Sequence, residues 1–191
     1  MTAVESVTRV IDALDRLAIP YMVVGSFSSN IYGEPRSTKD ADFVLQLGDT
    51  PIAKLANEIG ADFVLDPQMT FETITATTRY RLRHQQTAFL IEFFLLSTDP
   101  HDQLRFSRRK VGVIGSRNIC IPTVEDVMIT KLRWSLHGKR QKDVDDVRNV
   151  MEVQFGKLDL SYIRHWCDQH GTRELFEKLL ADAERFQQGL P

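Results

Sequence analysis

VVGSFSSNIYGEPRSTKDADFVL, residues 23–45, is the stretch on which the reading of this chain turns. An apolar strand runs into Gly25-Ser26, and the residues that follow suit a helix of barely two turns. A strand passing directly into a helix aims backbone N–H groups and the positive helix end at one point, and a glycine there lets an anion approach the backbone closely. Beyond it, Asp40 and Asp42 stand two residues apart at the start of a second strand, ADFVLQL. Strand periodicity puts both carboxylates on one face, where like charges are costly unless a cation offsets them. Magnesium is the natural cation, because it takes hard oxygen ligands and substrate phosphates. A Gly-Ser turn alone is an ordinary corner, and two acids alone are an ordinary strand mouth. In this order, with strand, helix and strand between them, they predict a phosphate-and-metal site.

The flanking sequence supplies the rest of a mixed α/β fold. Upstream, Val7, Val10, Ile11 and Leu14 recur at helical spacing over residues 4–17, and Pro20 stops that helix. Downstream, PIAKLANEIG reads as a helix with Pro51 in its first turn and Gly60 at its end, and ADFVL at 61–65 as another strand. Residues 70–96 change to sheet: TRYRLRH alternates strictly, with Arg79, Arg81 and Arg83 on one face, and AFLIEFFLL has the nearly continuous apolarity of a central strand. KVGVIG and NICIP add two short strands. From Thr123 the periodicity turns helical and stays so. The expected fold class is α/β (α+β): a short mixed central sheet flanked by helices in a catalytic core over residues 1–122, and a helical region over 123–191 packed on that core.

Composition narrows the functional classes. The 191 residues are 42% hydrophobic and 26% charged, which excludes a disordered chain and a membrane-embedded one. The N-terminus lacks the apolar run of a secretion signal, and the longest apolar stretch is short and holds Glu92, so cytoplasm is the default and no membrane partner is expected. Cys120 and Cys167 are too few and too far apart for a disulfide scaffold, and the five histidines show no zinc spacing. The net charge of −2 gives no general pull toward nucleic acid, but its distribution is uneven: residues 101–142 carry 10 basic and 3 acidic groups. RFSRRK at 105–110 and the arginine face of 79–83 are the local clusters, and near an acidic site either would suit an RNA phosphate backbone.

The order of these elements resembles the polymerase-beta-like nucleotidyltransferase superfamily, whose signature is hG[GS] followed by [DE]h[DE]h. Those elements read here as Val24-Gly25-Ser26 and Asp40-Ala41-Asp42-Phe43. Arg36 to Lys39 resemble the R-x-T-x-D-x-D form common among bacterial members. More narrowly, residues 121–151 look like the second motif region of abortive-infection AbiE-type toxins and their uncharacterised relatives, through Lys131, Arg140, Lys142-Asp143 and Asp146. The resemblance implies a metal-dependent enzyme, using Mg²⁺ or Mn²⁺ and an NTP such as ATP, with phosphate ligands at Gly25, Ser26, Arg36, Thr38 and Lys131. It also implies a third carboxylate from a later strand. Asp66, before Pro67, is more simply a turn former, whereas Glu92 sits in an apolar strand where an ionised group needs a partner or a metal. Glu92 is therefore the expected third metal ligand with Asp40 and Asp42, in place of the usual Asp.

Lys131 shares a helix face with Val127 and Trp134, so it is set among apolar neighbours; the alternatives are a stem that snorkels outward and an ammonium that reaches the triphosphate. Asp143 and Asp146, three apart, are expected to support Lys131 or Arg140 rather than bind metal. Ser26 is expected to be a phosphate ligand, not a nucleophile, because no local acid or histidine could activate it. The acceptor hydroxyl is expected on an RNA end such as tRNA, reached through residues 101–142. The alternatives are a protein hydroxyl, as in a toxin with a cognate antitoxin partner, an aminoglycoside-like small molecule, and an inactive interaction module of the same fold.

Overall fold

The structure is a computed structural model of the 191-residue chain, described for residues 1–87, 89–138 and 140–189. Ala88, at the start of an expected strand, and Lys139, Leu190 and Pro191, in the expected helical region, lie outside the described residues. The chain divides into two compact units, Met1–Phe27 with Ser37–Pro122 and Ser28–Arg36 with Thr123–Pro191.

The first unit is a sheet covered by short helices. Helix α1 (Ala3–Arg16) is opened by a capping box, in which the Thr2 hydroxyl accepts from the Glu5 N–H and the Glu5 carboxylate accepts from the Thr2 N–H. Its apolar stripe of Val7, Val10, Ile11 and Leu14 is fully buried. Strand β1 (Tyr21–Val24) leads straight into α2 (Gly25–Tyr32), and β2 (Asp40–Leu45) returns antiparallel to β1. Then come α3 (Ile52–Ile59), β3 (Phe63–Leu65), β4 (Thr70–Glu72), β5 (Thr77–His84) and β6 (Leu90–Leu95). The strand order is β1-β2-β6-β5-β3, with β4 also paired to β5. Only the β2–β6 pair is parallel, so the sheet is mixed, as the sequence pattern predicts.

The two faces of this sheet differ in chemistry. Val23, Phe43 and Phe93 occupy one face in register and are buried, with the Phe43 and Phe93 rings 5.7 Å apart; α1, packed on α3, lies against β2. The other face is mainly apolar toward the C-terminal ends of β2 and β6. There Met22, Val24, Val44, Phe94 and Leu96 pack with Phe106 of α4 (Pro100–Ser107). Toward the N-terminal ends it carries Asp40, Asp42, Glu92 and the arginines of β5.

Helix α4 is not evident from periodicity, which is short and broken by Arg105. Its local signal is the Asp99-Pro100 pair: Asp99 caps the helix by accepting from the N–H groups of His101 and Asp102, and proline occupies the first turn. Pro51 likewise sits one position before α3 rather than inside it. Strands β7 (Lys110–Ile114) and β8 (Arg117–Ile121) form a separate hairpin, not an extension of the main sheet.

The second unit gathers α5 (Val124–Gly138), α6 (Gln141–Val153), α7 (Leu160–His170) and α8 (Arg173–Gln187). Its core joins Leu132, Val147, Met151, Ile163, Cys167 and Phe176, and Tyr32 packs on it. Residues 28–36 group with these helices because Gln154 donates to the Tyr32 carbonyl and Gly33 lies close enough to Val150 to leave little room for a side chain.

Candidate active site

Asp40, Asp42 and Glu92 meet through strand register. In the parallel β2–β6 pair, Asp42 stands beside Glu92, and in the antiparallel β1–β2 pair it stands beside Val24. Neighbouring strands are about 4.8 Å apart, so the end of β1 and the two acidic strands bring their side chains to one patch of sheet. Asp40 lies two residues before Asp42 on the same face, and its Oδ1 accepts a 2.6 Å hydrogen bond from the Thr38 hydroxyl.

Gly25 is required by what lies over it. A Cβ at that position would stand 2.0 Å from Asp42 Oδ2, inside any tolerable contact. Its φ is +63°, but Ala18 and Ala76 hold φ of 52°, so the left-handed backbone alone does not demand glycine in this chain. The close approach of the Asp42 carboxylate does. Gly25→Ala is therefore expected to lose about 1–2 kcal/mol through backbone strain and to push Asp42 out of place. Thermal unfolding together with a Mn²⁺ titration checks this: both should be impaired, whereas unchanged Mn²⁺ affinity would show that Asp42 tolerates the shift.

Glu92 keeps different company. Its Oε1 accepts from Arg81 Nε at 2.8 Å and stands 3.4 Å from Arg79 Nη1. Two guanidiniums of β5 thus engage the Glu92 carboxylate. Among the described residues, no three Asp, Glu, His or Cys side chains are grouped so as to hold a metal ion. Asp40 and Asp42 are a hard-oxygen pair that fits a magnesium-type ion retaining phosphate and water ligands. Asp66 accepts from the Gln68 N–H, as a turn former does.

Within the helical unit, the lysine and the acids of the later motif meet as a buried network. Lys131 Nζ donates to Asp143 Oδ1 at 3.0 Å and to Asp146 Oδ2 at 2.6 Å. Arg36 grips Asp146 with two bonds, at 2.8 and 2.9 Å, and Arg140 Nε lies 3.2 Å from Asp143 Oδ2. Asn30 fixes the Arg36 backbone at both its N–H and its carbonyl. Burial acts to raise the Asp146 pKa, but the bonds from Arg36 and Lys131 outweigh it and hold the carboxyl below its ordinary value. Arg36 and Lys131, both expected at a triphosphate, are thus engaged by Asp143 and Asp146.

Within the first unit, several cations of the basic stretch expected to take RNA are already engaged. Arg105 is buried against Asp102 at 2.7 Å, Arg109 folds over the Phe106 ring, and Arg117 pairs with Asp12 and Asp15. Arg108 and Lys110 are exposed.

No family model matches the chain, and no curated protein matches it by sequence. Solved structures do match by fold. A crystal structure of ANT(2'')-Ia in complex with adenylyl-2''-tobramycin aligns with a TM-score of 0.61 at 11% identity, covering 91% of this chain and 99% of that one. The lincomycin-bound lincosamide antibiotic adenylyltransferase LnuA aligns at 0.53 and 12% identity, covering 80% and 98%. An antigenic nucleotidyltransferase-like protein from Paracoccidioides brasiliensis aligns at 0.52 and 18% identity, covering 92% and 91%. With its mixed sheet and flanking helices, the chain has the nucleotidyltransferase fold.

Proposed function

We propose that this chain is a metal-dependent nucleotidyltransferase that moves NMP from an NTP to a hydroxyl of an acceptor, with an RNA end as the favoured acceptor. One observation carries the reading: the Asp42 carboxylate lies directly over Gly25, at the point where β1 becomes α2. A turn suited to phosphate and a carboxylate pair suited to a hard cation therefore occupy the same place.

The roles follow from the residues. Backbone N–H groups at the Gly25-Ser26 turn, with the positive end of α2, bind and orient the nucleotide phosphates. Ser26 adds a hydroxyl beside them. Asp40 and Asp42 would hold Mg²⁺ or Mn²⁺, which when bound supplies charge neutralisation at the phosphates. Thr38 fixes the Asp40 carboxylate by its 2.6 Å bond, so one of the two oxygen ligands is oriented before substrate arrives. The reaction served is in-line displacement at the α-phosphorus, with pyrophosphate leaving, and no covalent enzyme intermediate is needed. Lys131 and Arg36 act within the helical unit, fixing Asp146 and the segment that leads to Thr38.

A small-molecule acceptor is the second reading, favoured by the fold shared with ANT(2'')-Ia and LnuA, whose structures hold adenylyl-2''-tobramycin and lincomycin. Incubation with each α-³²P-labelled NTP, Mg²⁺ and separate pools of total RNA, cell protein and hydroxylated metabolites tests both. Label is expected in RNA, with pyrophosphate released. Label in metabolites supports the second reading, label in protein fits transfer of the toxin type, and no label in any pool would count against the enzymatic reading.

A further inference from the structure

The arginines of β5 are not spread over the sheet but stacked on the carboxylate face. Register places Arg81 beside Glu92 and Arg79 beside Phe94, and Arg83 continues the same face. Arg79 is held from three sides: its Nε donates to the Thr70 hydroxyl at 3.0 Å, its guanidinium lies 5.9 Å from the Phe94 ring centre, and its Nη1 faces Glu92. Arg81 is held by Glu92 through Nε and keeps 35% of its side-chain surface in solvent. Glu92, only 15% exposed, is shared by the two guanidiniums, and Asp42 stands in register beside it on β2. Fixed guanidiniums that keep part of their surface in solvent suit a phosphate group, which a planar five-donor fork can bind bidentately.

Strand order says which phosphate. The Gly25-Ser26 turn follows β1, on one flank of Asp42, and the arginines stand on β5, on the other flank beyond β6. A nucleotide seated at the turn leaves the β5 flank for the second substrate. We propose that Arg79 and Arg81, positioned by Glu92, form the subsite for a backbone phosphate of an RNA acceptor, and that Glu92 serves this subsite instead of holding a metal ion. Two guanidiniums on one carboxylate oxygen repel a divalent cation from it, whereas the same carboxylate lowers the cost of keeping the two arginines side by side. The assignment rests on the nucleotidyltransferase reading and relocates RNA contact from residues 101–142 to the sheet itself.

The test uses the full chain, with fluorescence anisotropy of a labelled single-stranded RNA dodecamer, nucleotide binding with ATP and Mn²⁺, and Mn²⁺ titration alone. Arg79→Ala with Arg81→Ala should weaken RNA binding at least tenfold and flatten the log–log salt slope by roughly 0.7, the loss of one phosphate contact. Nucleotide affinity should stay within twofold. Adding Glu92→Gln removes the carboxylate left without its arginines, so this triple variant carries the same expectation if the double variant folds poorly. Glu92→Gln alone should keep Mn²⁺ affinity within twofold, whereas Asp42→Asn should lose at least tenfold. Wild-type RNA affinity in the arginine variants, or no RNA binding by the wild type, overturns the subsite. So does a loss confined to nucleotide, which would assign the arginines to the NTP. A loss of Mn²⁺ in Glu92→Gln equal to that in Asp42→Asn makes Glu92 a metal ligand. The parent reading fails separately, if Asp42→Asn leaves both Mn²⁺ and nucleotide binding intact.

Discussion

Asp146→Ala is expected to destabilise the helical unit by about 3–5 kcal/mol, the usual cost of stripping one partner from a buried ion pair. Asp146 is buried and accepts from both Arg36 and Lys131, so its removal leaves Lys131, itself buried, with Asp143 alone. Both tryptophans of the chain, Trp134 and Trp166, lie in this unit, so urea unfolding followed by tryptophan fluorescence reports on it directly. Lys131→Met combined with Asp146→Leu should recover part of the loss, because a matched apolar replacement leaves no lone buried lysine. Arg36 is 30% exposed and can turn to water in that variant. The pH dependence has a definite sign. A carboxyl held below its unfolded pKa, roughly 4, contributes stability that is present above that value and lost as pH falls through the lower folded value. Wild-type stability should therefore decline below about pH 4, and Asp146→Asn should flatten the curve in that window. An Asp146→Ala midpoint equal to wild type would show that the network is replaced by water.

How far the sequence discloses this depends on the range over which each determinant acts. The strands that carry the site are legible because period-two alternation and apolar runs are local, and Asp40 and Asp42 share a face on any strand. The later acids are legible at Asp143 and Asp146, three apart on one helix edge beside Lys131. What is not legible is pairing across the sheet. Nothing near Glu92 in sequence announces Arg81, eleven residues away, because their meeting depends on the register of β5 against β6. An acid in an apolar strand needs a positive partner, and a metal and a guanidinium meet that need equally well until the neighbouring strand is known. Charge counting fails for the same reason at residues 105–110. Arg105 looks like surface charge in a basic run, but a helix turn brings it back onto Asp102, whose second oxygen takes the Ser97 hydroxyl. Helix α4 was hidden by its weak periodicity and revealed only by its cap.

Asp42→Asn is expected to lower turnover about 10³-fold or more while leaving the fold intact. Asparagine keeps the shape of the side chain but removes the charge that a divalent cation and a nucleotide phosphate together demand. If several kcal/mol of charge stabilisation is lost, each 1.4 kcal/mol being roughly tenfold, a factor of about 10³ follows. Stability should change little, because asparagine keeps the size and shape of the side chain. Thr38→Val should act in the same direction but less, roughly tenfold, since it leaves both charges and removes one hydrogen bond to a charged group. The measurements are single-turnover transfer of label from an α-³²P NTP and thermal unfolding of the same samples. A paired loss of activity and stability would mean that Asp42 supports the sheet rather than the reaction. A loss of activity with an unchanged melting temperature marks a residue that serves the reaction rather than the fold, as a ligand for a cation beside a phosphate should.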